Sequence, residues 1–317
     1  MAGQFDEFHA ELRAVAGDLL AKDRSVAWPA IASAGWAGLE VPEHLGGAGA
    51  TFAEVAVICE AIGRAASANS FLGSAVLAVG AVNALQPSDT RDRLLADIAS
   101  GATRVAVAFA PFDFVPDAQG ADRILMIDAD TVVEAHMTVT PRPVLDETRR
   151  LAAVTAGGVV HVHRFAGDPH AQARRVRDRA AVAVACDSLG VAEAMLAATV
   201  AYVKVREQFG RPIGSFQAVK HACADMHVAI AVSRQLVSAA VQAVAENQPD
   251  TSVAAAMAKS YACAAAVDVV GKAMQLHGGI GYTWESGIHV YLKRAALNRS
   301  LFGSPASYRK ELSQRYL

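Results

Sequence analysis

Residues 206–221 read REQFGRPIGSFQAVKH and lie between two long segments in which apolar residues recur at helical spacing. The glycines at 210 and 214 indicate tight turns, so the stretch predicts a corner that joins two helices. Arg206, Gln208 and Gln217 supply hydrogen-bond donors around this corner. Backbone N–H groups at the start of a helix, with a guanidinium nearby, suit a pyrophosphate group. The corner is therefore a candidate site for a phosphate-bearing ligand.

The segments on both sides of the corner predict a helical bundle. A first helix starts at about residue 176, a second follows the corner, and a third spans about 252–276. A final helix, flanked by basic residues, leads to RSLFGSPAS at 299–307. The apolar positions that define the first three helices are Leu189, Leu196, Val200 and Val203, then Val219, Met226, Ile230, Val237 and Val241, then Met257, Tyr261 and Met274. Because the loops are short enough for antiparallel neighbours, we expect residues 169–317 to form a four-helix bundle.

The N-terminal residues 1–103 predict a separate helical domain. Apolar residues recur at helical spacing in two places, at Phe5, Phe8, Leu12, Val15 and Leu19, and at Phe52, Val55, Ile58 and Ile62. Thr51 is a predicted N-cap with Glu54 at the capping-box position. A glycine-rich loop separates the two helices.

Residues 104–168 have a different pattern, with short β-like runs separated by Pro, Gly and Asp. The runs are RVAVAFA, RILMIDA, TVVEAHMTVT and GGVVHVHRF. They predict a small antiparallel β unit, too small for a nucleotide-binding domain of its own. The expected fold class is therefore α+β and mainly α, with a small β domain between two helical domains.

Composition and charge exclude several classes of partner. The 317 residues are 53% apolar, carry a formal net charge of −2 and have no long run of one sign. We therefore expect neither nucleic acid nor a membrane as a partner. The most apolar stretch, 180–203, is interrupted by Asp187 and Glu193, which favours a core helix over a membrane span.

Cysteine usage and the N-terminus suggest a cytoplasmic protein. Four cysteines lie far apart in apolar helical patterns, which is typical of reduced, buried thiols: Cys59, Cys186, Cys223 and Cys263. The first residues, MAGQFDEFHAELRA, lack the basic start and apolar run of a signal peptide.

Three other motifs have structural interpretations that we prefer to functional ones. His161 and His163 would share one face of a strand, as metal ligands do, but without a third ligand we expect a solvent-facing strand. HGGIG at 277–281 lacks the preceding strand and third glycine of a dinucleotide site, so alone it predicts a helix C-cap. A cluster of arginines could face a phosphate, but its place before a long helix favours a solvated linker: Arg174, Arg175, Arg177 and Arg179.

The corner at 206–221, together with QLHGGIGY at 275–282, makes the chain resemble the flavin-dependent acyl-CoA dehydrogenases. The likeness extends to GWAGLEVPEHLGGAGATFAEVAVICEAIGRA at 35–65, and so covers nearly the whole length. In this family FAD lies across a subunit interface, with its flavin ring held by one chain and its ADP half by the neighbour. The resemblance implies six ADP-binding residues here: Arg206, Phe209, Gln217, Gln275, Gly278 and Gly279.

The sequence departs from the family where the flavin ring and the catalytic base are held. AFAPFDF at 108–114 replaces the family's Thr/Ser-Glu-Pro and Gly-Ser-Asp stretch, so we expect the flavin bed to be lost. The two positions at which the family places its catalytic Glu fall on Gly303, in LFGSPA, and on Ala180, in RDRAAVAVA. Asp268, Glu285 and Glu311 are candidates for a displaced base, but each also fits a surface or capping role.

The expected function follows from a site that keeps the ADP-binding residues but lacks the flavin bed and the catalytic Glu. The chain resembles the short, non-catalytic subunits of actinobacterial steroid-degradation acyl-CoA dehydrogenases, which pair with full-length chains in α2β2 heterotetramers. By that resemblance it would grip the ADP half of a shared FAD, while a catalytic partner supplies the Glu, the flavin bed and most of the acyl-CoA site. Two alternatives stay open, a self-sufficient flavoenzyme with a displaced base and a flavin-free scaffold subunit.

Overall fold

The computed structural model describes residues 2–22, 24–128 and 131–315, with side chains from residue 9 onward. The N-terminal domain contains five α-helices and a π-helical turn, Leu72–Leu77, that runs directly into the fourth helix. The helices are α1 (Ala2–Lys22), α2 (Trp28–Ser33), α3 (Phe52–Ala65), α4 (Ala78–Asn83) and α5 (Asp89–Ala99). The side chains of Phe5 and Phe8 lie outside the described part. Val15 was expected on the buried face of α1 but is 57% exposed.

The predicted start of α3 is confirmed. The Thr51 hydroxyl accepts a hydrogen bond from the Ala53 N–H at 3.2 Å, and the Glu54 carboxylate accepts one from the Thr51 N–H at 2.8 Å. Glu54 also lies 2.8 Å from His9 of α1. This capping box therefore fixes both the first turn of α3 and its contact with α1.

The middle domain is a five-stranded sheet in the order β1–β3–β4–β5–β2. The strands are β1 (Val105–Phe109), β2 (Val115–Pro116), β3 (Arg123–Asp128), β4 (Thr131–Arg142) and β5 (Leu151–His163). The prediction of a purely antiparallel unit is wrong, because β1 and β3 are parallel, with Val105 opposite Arg123. After β1 the chain forms β2 at the far edge of the sheet, so β3 returns in the direction of β1.

The C-terminal part is a bundle of long helices. Its helices are α6 (Pro169–Val205), α7 (Gln217–Ala245), α8 (Thr251–His277), α9 (Ile288–Ser300) and α10 (Pro305–Gln314). The predicted four helices are present, and α10 is an additional one that packs on α8. The overall class is the predicted one, mainly helical with one small sheet between two helical domains.

The arginine cluster shows where the linker prediction was wrong. α6 begins at Pro169, so all four arginines lie within the helix. Arg179 is only 7% exposed, and its guanidinium pairs with Glu40, donates to the Val76 carbonyl oxygen at 2.7 Å and lies over the Phe52 ring. Burial lowers the pKa of Arg179 to about 9. Arg179 thus joins the bundle to the N-terminal domain.

A second buried ion-pair network joins all three domains. Arg294 of α9 pairs with Asp187 of α6 at 2.6 Å and donates to the Ser67 carbonyl oxygen at 2.9 Å. Arg149, from the connection between β4 and β5, also pairs with Asp187, at 3.0 Å. The Asn298 amide donates to the same carboxylate at 2.6 Å. Despite burial, these partners lower the pKa of Asp187.

Three helical segments in the described part are long and apolar enough to cross a membrane by length and composition alone, even with Asp187 and Glu193 in the first. They lie in α6, α7 and Thr251–Tyr282. The apolar window of α6 is 78% buried within the protein, as expected of a core helix, whereas that of α7 is only 28% buried. The α7 face is therefore an apolar surface that the chain itself does not cover.

Candidate functional site

The predicted corner is a tight hairpin between α6 and α7. Arg206 caps α6, and its N–H donates to the Tyr202 carbonyl oxygen at 2.9 Å. Two short strands, Glu207–Gln208 and Arg211–Pro212, pair across a two-residue turn. Both turn residues, Phe209 and Gly210, have positive φ (56° and 75°), the conformation of a type I′ turn. Gln217 follows as the first residue of α7.

The second motif lies at the same end of the bundle. α8 ends at His277 with Gly278 as its C-cap, as HGGIG predicted. The His277 ring stacks on Tyr202 with a centroid distance of 4.4 Å, and the Tyr202 hydroxyl donates to the His277 carbonyl oxygen at 3.3 Å. Tyr202 lies one turn before Arg206, and His277 lies between Gln275 and Gly278. The Tyr202–His277 contact therefore brings both motifs to one end of the bundle.

All six predicted ADP-binding residues are exposed: Arg206, Phe209, Gln217, Gln275, Gly278 and Gly279. Phe209 is 92% exposed, and its ring lies edge to face with Phe216, with the ring centroids 6.1 Å apart. Within the described residues, the side chains of Arg206, Gln217 and Gln275 have no hydrogen-bond partner. These free donors, with the first N–H groups of α7, fit an anionic ADP group that approaches from outside the chain. Their role in binding FAD stays a prediction.

A cavity of about 540 Å³ lies between the middle domain and the bundle. One wall is the segment after β1, and the other is the end of α9 with the loop to α10. Phe109 and Phe302 meet edge to face across it, with their ring centroids 6.1 Å apart. The side chains of 108–114 offer this cavity one polar group, Asp113. This wall does not fit the polar edge of a flavin ring, which needs several hydrogen-bond partners.

Gly303 lies on the wall of this cavity. Its φ of +113° is a conformation that side chains disfavour, and a Cβ placed there would lie 2.9 Å from the Tyr308 ring. The surrounding loop is held by Lys259, whose buried ammonium donates to the carbonyl oxygens of Asn298 at 2.8 Å and Gly303 at 3.0 Å. Lys259 thus ties the loop around Gly303 to α8 and to the end of α9.

Ala180, the second position expected for a Glu, is fully buried in the main core and is not among the described residues that line the cavity. The three carboxylates that were candidates for a displaced base are not among its described lining residues either. Glu311 pairs with Arg174 at the surface, at 3.6 Å, and Asp268 and Glu285 are exposed. Hydrogen bonds from its own backbone and from Thr283 lower the pKa of Glu285.

Sequence reasoning missed Asp113 as a charged group of the cavity, and it placed Arg177 in a solvated linker. Asp113 is the one carboxylate among its described lining residues, and its Oδ1 accepts two hydrogen bonds from Arg142, at 2.8 and 2.9 Å. Arg177 lines the same cavity and lies over the Phe109 ring, at 5.7 Å. Neither contact has a local sequence signal. The Asp113–Arg142 pair joins the segment after β1 to the end of β4, and the Arg177–Phe109 contact depends on how the sheet packs on α6.

The histidine pair lies at the end of β5, with His161 exposed and His163 buried. The His161 and His163 rings touch at 4.4 Å, but His163 is buried, so the prediction of a solvent-facing strand is wrong at that residue. His163 lies 3.5 Å from Glu134, which also pairs with Arg123 at 2.6 Å. These hydrogen bonds, first that of His163, lower the pKa of Glu134 to about 2. Within the described ranges, no group of three or more His, Cys, Asp or Glu is arranged to hold a metal ion.

Similar structures support the fold. A structure described as the Tcur3481-Tcur3483 steroid ACAD matches with a TM-score of 0.87 at 25% identity, over 98% of this chain and 97% of the other. The ChsE4-ChsE5 complex from Mycobacterium tuberculosis matches with a TM-score of 0.85 at 22% identity, over 97% of this chain and 96% of the other.

Sequence comparison identifies the family. The acyl-CoA dehydrogenase N-terminal domain matches residues 6–102, and the acyl-CoA dehydrogenase C-terminal domain matches 171–317. The acyl-CoA dehydrogenase IpdE2 of Mycolicibacterium smegmatis is 37% identical over 88% of this chain and 83% of its own length. IpdE2 of Mycobacterium tuberculosis is 34% identical over 88% of this chain and 82% of its own length. The chain therefore belongs to the acyl-CoA dehydrogenase family.

Proposed function

We propose that this chain is a non-catalytic subunit of a heteromeric, FAD-dependent acyl-CoA dehydrogenase. A full-length partner chain supplies the catalytic Glu, the flavin bed and most of the acyl-CoA site. This chain contributes the surface that grips the ADP half of the partner's FAD. The complex desaturates an acyl-CoA between its α and β carbons, and we infer a steroid-derived acyl group from the steroid ACAD among its structural neighbours.

The observation that carries this proposal is Gly303 on the cavity wall. Desaturation removes the α-proton of the acyl group while a hydride leaves the β-carbon, so it needs a positioned base of suitable pKa. FAD, when bound, accepts the hydride but does not supply that base. Glycine has no side chain that could act, and none of the described residues of its loop that line the cavity is a carboxylate.

The opposite end of the bundle supports the shared cofactor. Members of this family generally bind FAD, and by resemblance the six exposed residues around Arg206 are the ones expected to grip its ADP half. Their free donors face outward, so they suit a cofactor whose flavin ring is held by another chain. Both the Tcur3481-Tcur3483 and ChsE4-ChsE5 structures carry the names of two proteins, which agrees with a paired assembly.

The test is the Arg206→Ala variant in a complex co-purified with the partner chain. A charge-assisted contact to pyrophosphate contributes about 1.5–3 kcal/mol, so FAD affinity should fall roughly 10- to 150-fold. Turnover at saturating FAD should stay near wild type, because Arg206 is remote from the reacting carbons. FAD fluorescence titration and steady-state kinetics measure the two quantities.

Arg174→Ala is the matched control, since Arg174 is an exposed arginine elsewhere on α6 that pairs with Glu311. FAD affinity should be unchanged in this variant. An unchanged FAD affinity in Arg206→Ala would contradict the proposed grip on ADP. One FAD per pair of chains, and a colourless chain when it is purified alone, would support the shared site.

A self-sufficient dehydrogenase is the second candidate, and Asp113 is the observation that favours it. Asp113 lines the cavity, and only one of its two oxygens is held by Arg142. If Asp113 were a displaced base, the chain alone would be yellow and active, and Asp113→Asn would abolish turnover. If the heteromeric proposal holds, Asp113→Asn changes turnover of the complex less than two-fold.

A further inference from the structure

The cavity beside Gly303 has the walls of a binding site for an apolar molecule. Its volume of about 540 Å³ is within the range of small-molecule sites. Phe109, Phe114, Leu297 and Leu301 contribute apolar side chains from both domains. A site of this kind is rarely filled by water alone, because apolar walls offer water few hydrogen bonds.

Arg177 places a positive charge at these walls without a counter-charge. Two neighbouring arginines on α6 are paired, Arg174 with Glu311 and Arg179 with Glu40. Arg177 instead lies over the Phe109 ring, and among the described residues no carboxylate forms an ion pair with it. The guanidinium therefore keeps its hydrogen-bond donors free at the edge of an apolar cavity.

The remaining charges of the cavity leave Arg177 uncompensated. Asp113 is neutralised by Arg142, which donates two hydrogen bonds to it. The Tyr308 hydroxyl donates its proton to the Phe302 carbonyl oxygen at 2.8 Å, so this side chain is neutral and adds no charge to the cavity. Arg177 and Asp113 are the charged residues of the described lining, and Asp113 is already paired with Arg142 from outside it. The Arg177 guanidinium is thus left for a ligand with one anionic group. A guanidinium binds a carboxylate in two-point geometry, which a neutral thioester cannot provide.

We propose that this cavity binds an apolar monocarboxylate, a free acid with a large hydrocarbon body, whose carboxylate pairs with Arg177. Because Gly303 leaves the site without a base there, the acid is bound and not converted. The proposal does not depend on a partner chain or on FAD. The ligand binds in the cavity of this chain, where the proposed dehydrogenase complex carries out no chemistry.

Calorimetric titration of the full chain, alone and in complex with its partner, tests this. The probes are decanoate, a straight-chain acid, and cholate, a polycyclic one, with decanol as the uncharged control. We expect saturable binding of at least one acid at one per chain, and binding of decanol at least 10-fold weaker. The acid that binds more tightly identifies the shape of the ligand. Binding of neither acid, or equal binding of decanol, would overturn the proposal.

Variants of α6 test the role of the cation. Arg177→Gln should weaken binding of the acid about 10-fold or more, and Arg177→Lys, which keeps the charge, should weaken it less. Arg175→Gln is the control, because Arg175 is also an exposed arginine of α6 but lines a different cavity, beside Thr51 and Phe52. Equal affinities in Arg177→Gln and Arg175→Gln would refute the pairing.

Discussion

Gly303 lies in a loop whose packing leaves no room for a side chain at this position. Lys259 satisfies the loop's carbonyl oxygens from a fully buried position, and Tyr308 fills the space next to the glycine. The loop is therefore built around a residue with positive φ and no side chain. A carboxylate placed there meets both a strained backbone and an occupied space.

Gly303→Glu should therefore not create a second working site. We expect a loss of about 1–3 kcal/mol in the free energy of unfolding, from the φ of +113° and the Tyr308 contact. Turnover should stay at background in a complex whose partner has its own catalytic Glu replaced. Substrate and flavin would still lack an orienting wall at 108–114. Denaturant unfolding and an acyl-CoA dehydrogenation assay give the two numbers.

Gly303→Ala separates the two effects, since it carries the strain without the acid. Its stability loss should be similar to that of Gly303→Glu. If Gly303→Glu turned over near the wild-type rate, the expectation of a lost flavin bed would be wrong.

At the scale of single elements, the sequence predicted the helices, but it did not predict which strands pair or which distant residues form ion pairs. The capping box at Thr51 and Glu54 predicted the start of α3, because a cap is a local interaction of four residues. The parallel pairing of β1 with β3 was missed, because alternation along a strand does not say which strand lies beside it. Arg179 was placed in a linker because its partner Glu40 is distant in sequence.

The candidate site divides in the same way. Gly303 and the six residues around Arg206 came from motifs, which are contiguous stretches of sequence. That Arg177 and Asp113 line one cavity came only from the packing of the middle domain against α6 and α9. Sequence patterns identify site residues that lie in one contiguous motif. They miss charged residues that are distant in sequence and become neighbours only in the folded chain.

The contact between α6 and α8 predicts a pH dependence of stability. Asp178 of α6 is 8% exposed and accepts a hydrogen bond from Ser252 of α8 at 2.6 Å. Burial raises its pKa to about 6, above the value of about 4 for an unfolded chain. Between pH 4 and pH 6 the unfolded state has lost a proton that the folded state still holds. This carboxyl therefore favours folding below pH 4, and that contribution is lost as the pH rises to 6.

Asp178→Asn should remove this dependence, because the amide does not titrate and can still bond Ser252. Relative to wild type, we expect the variant to gain about 1–3 kcal/mol of unfolding free energy between pH 4 and pH 6.5. Urea unfolding at several pH values measures the difference. Asp225→Asn, at an exposed residue paired with Lys272 at 3.6 Å, should show no such gain. A pH-independent difference for Asp178→Asn would contradict the raised pKa.

At the scale of the whole molecule, the rest of the described chain leaves most of the apolar window of α7 uncovered. Val228 and Val232 of α7 are 60% and 39% exposed, and Met257 and Tyr261 of α8 are 43% and 38% exposed. Exposed apolar side chains grouped on long helices mark surfaces that associate. This α7–α8 face lies on the same bundle that presents Arg206 and Gln275 at its end. A partner that covers the face can also reach the predicted ADP site.

Val228→Glu tests whether the partner binds this face. A buried, unpaired charge at an interface is unfavourable, so the affinity for the partner should fall at least 10-fold. The unfolding free energy of the chain itself should change by less than about 0.5 kcal/mol, because Val228 is exposed within it. Val160→Glu, at a 54% exposed valine of β5, provides the matched control and should leave the complex intact. Sedimentation of mixtures measures association, and a Val228→Glu chain that pairs as tightly as Val160→Glu would place the partner on another face. Loss of FAD in parallel with loss of the partner is expected only of a cofactor held between the two chains.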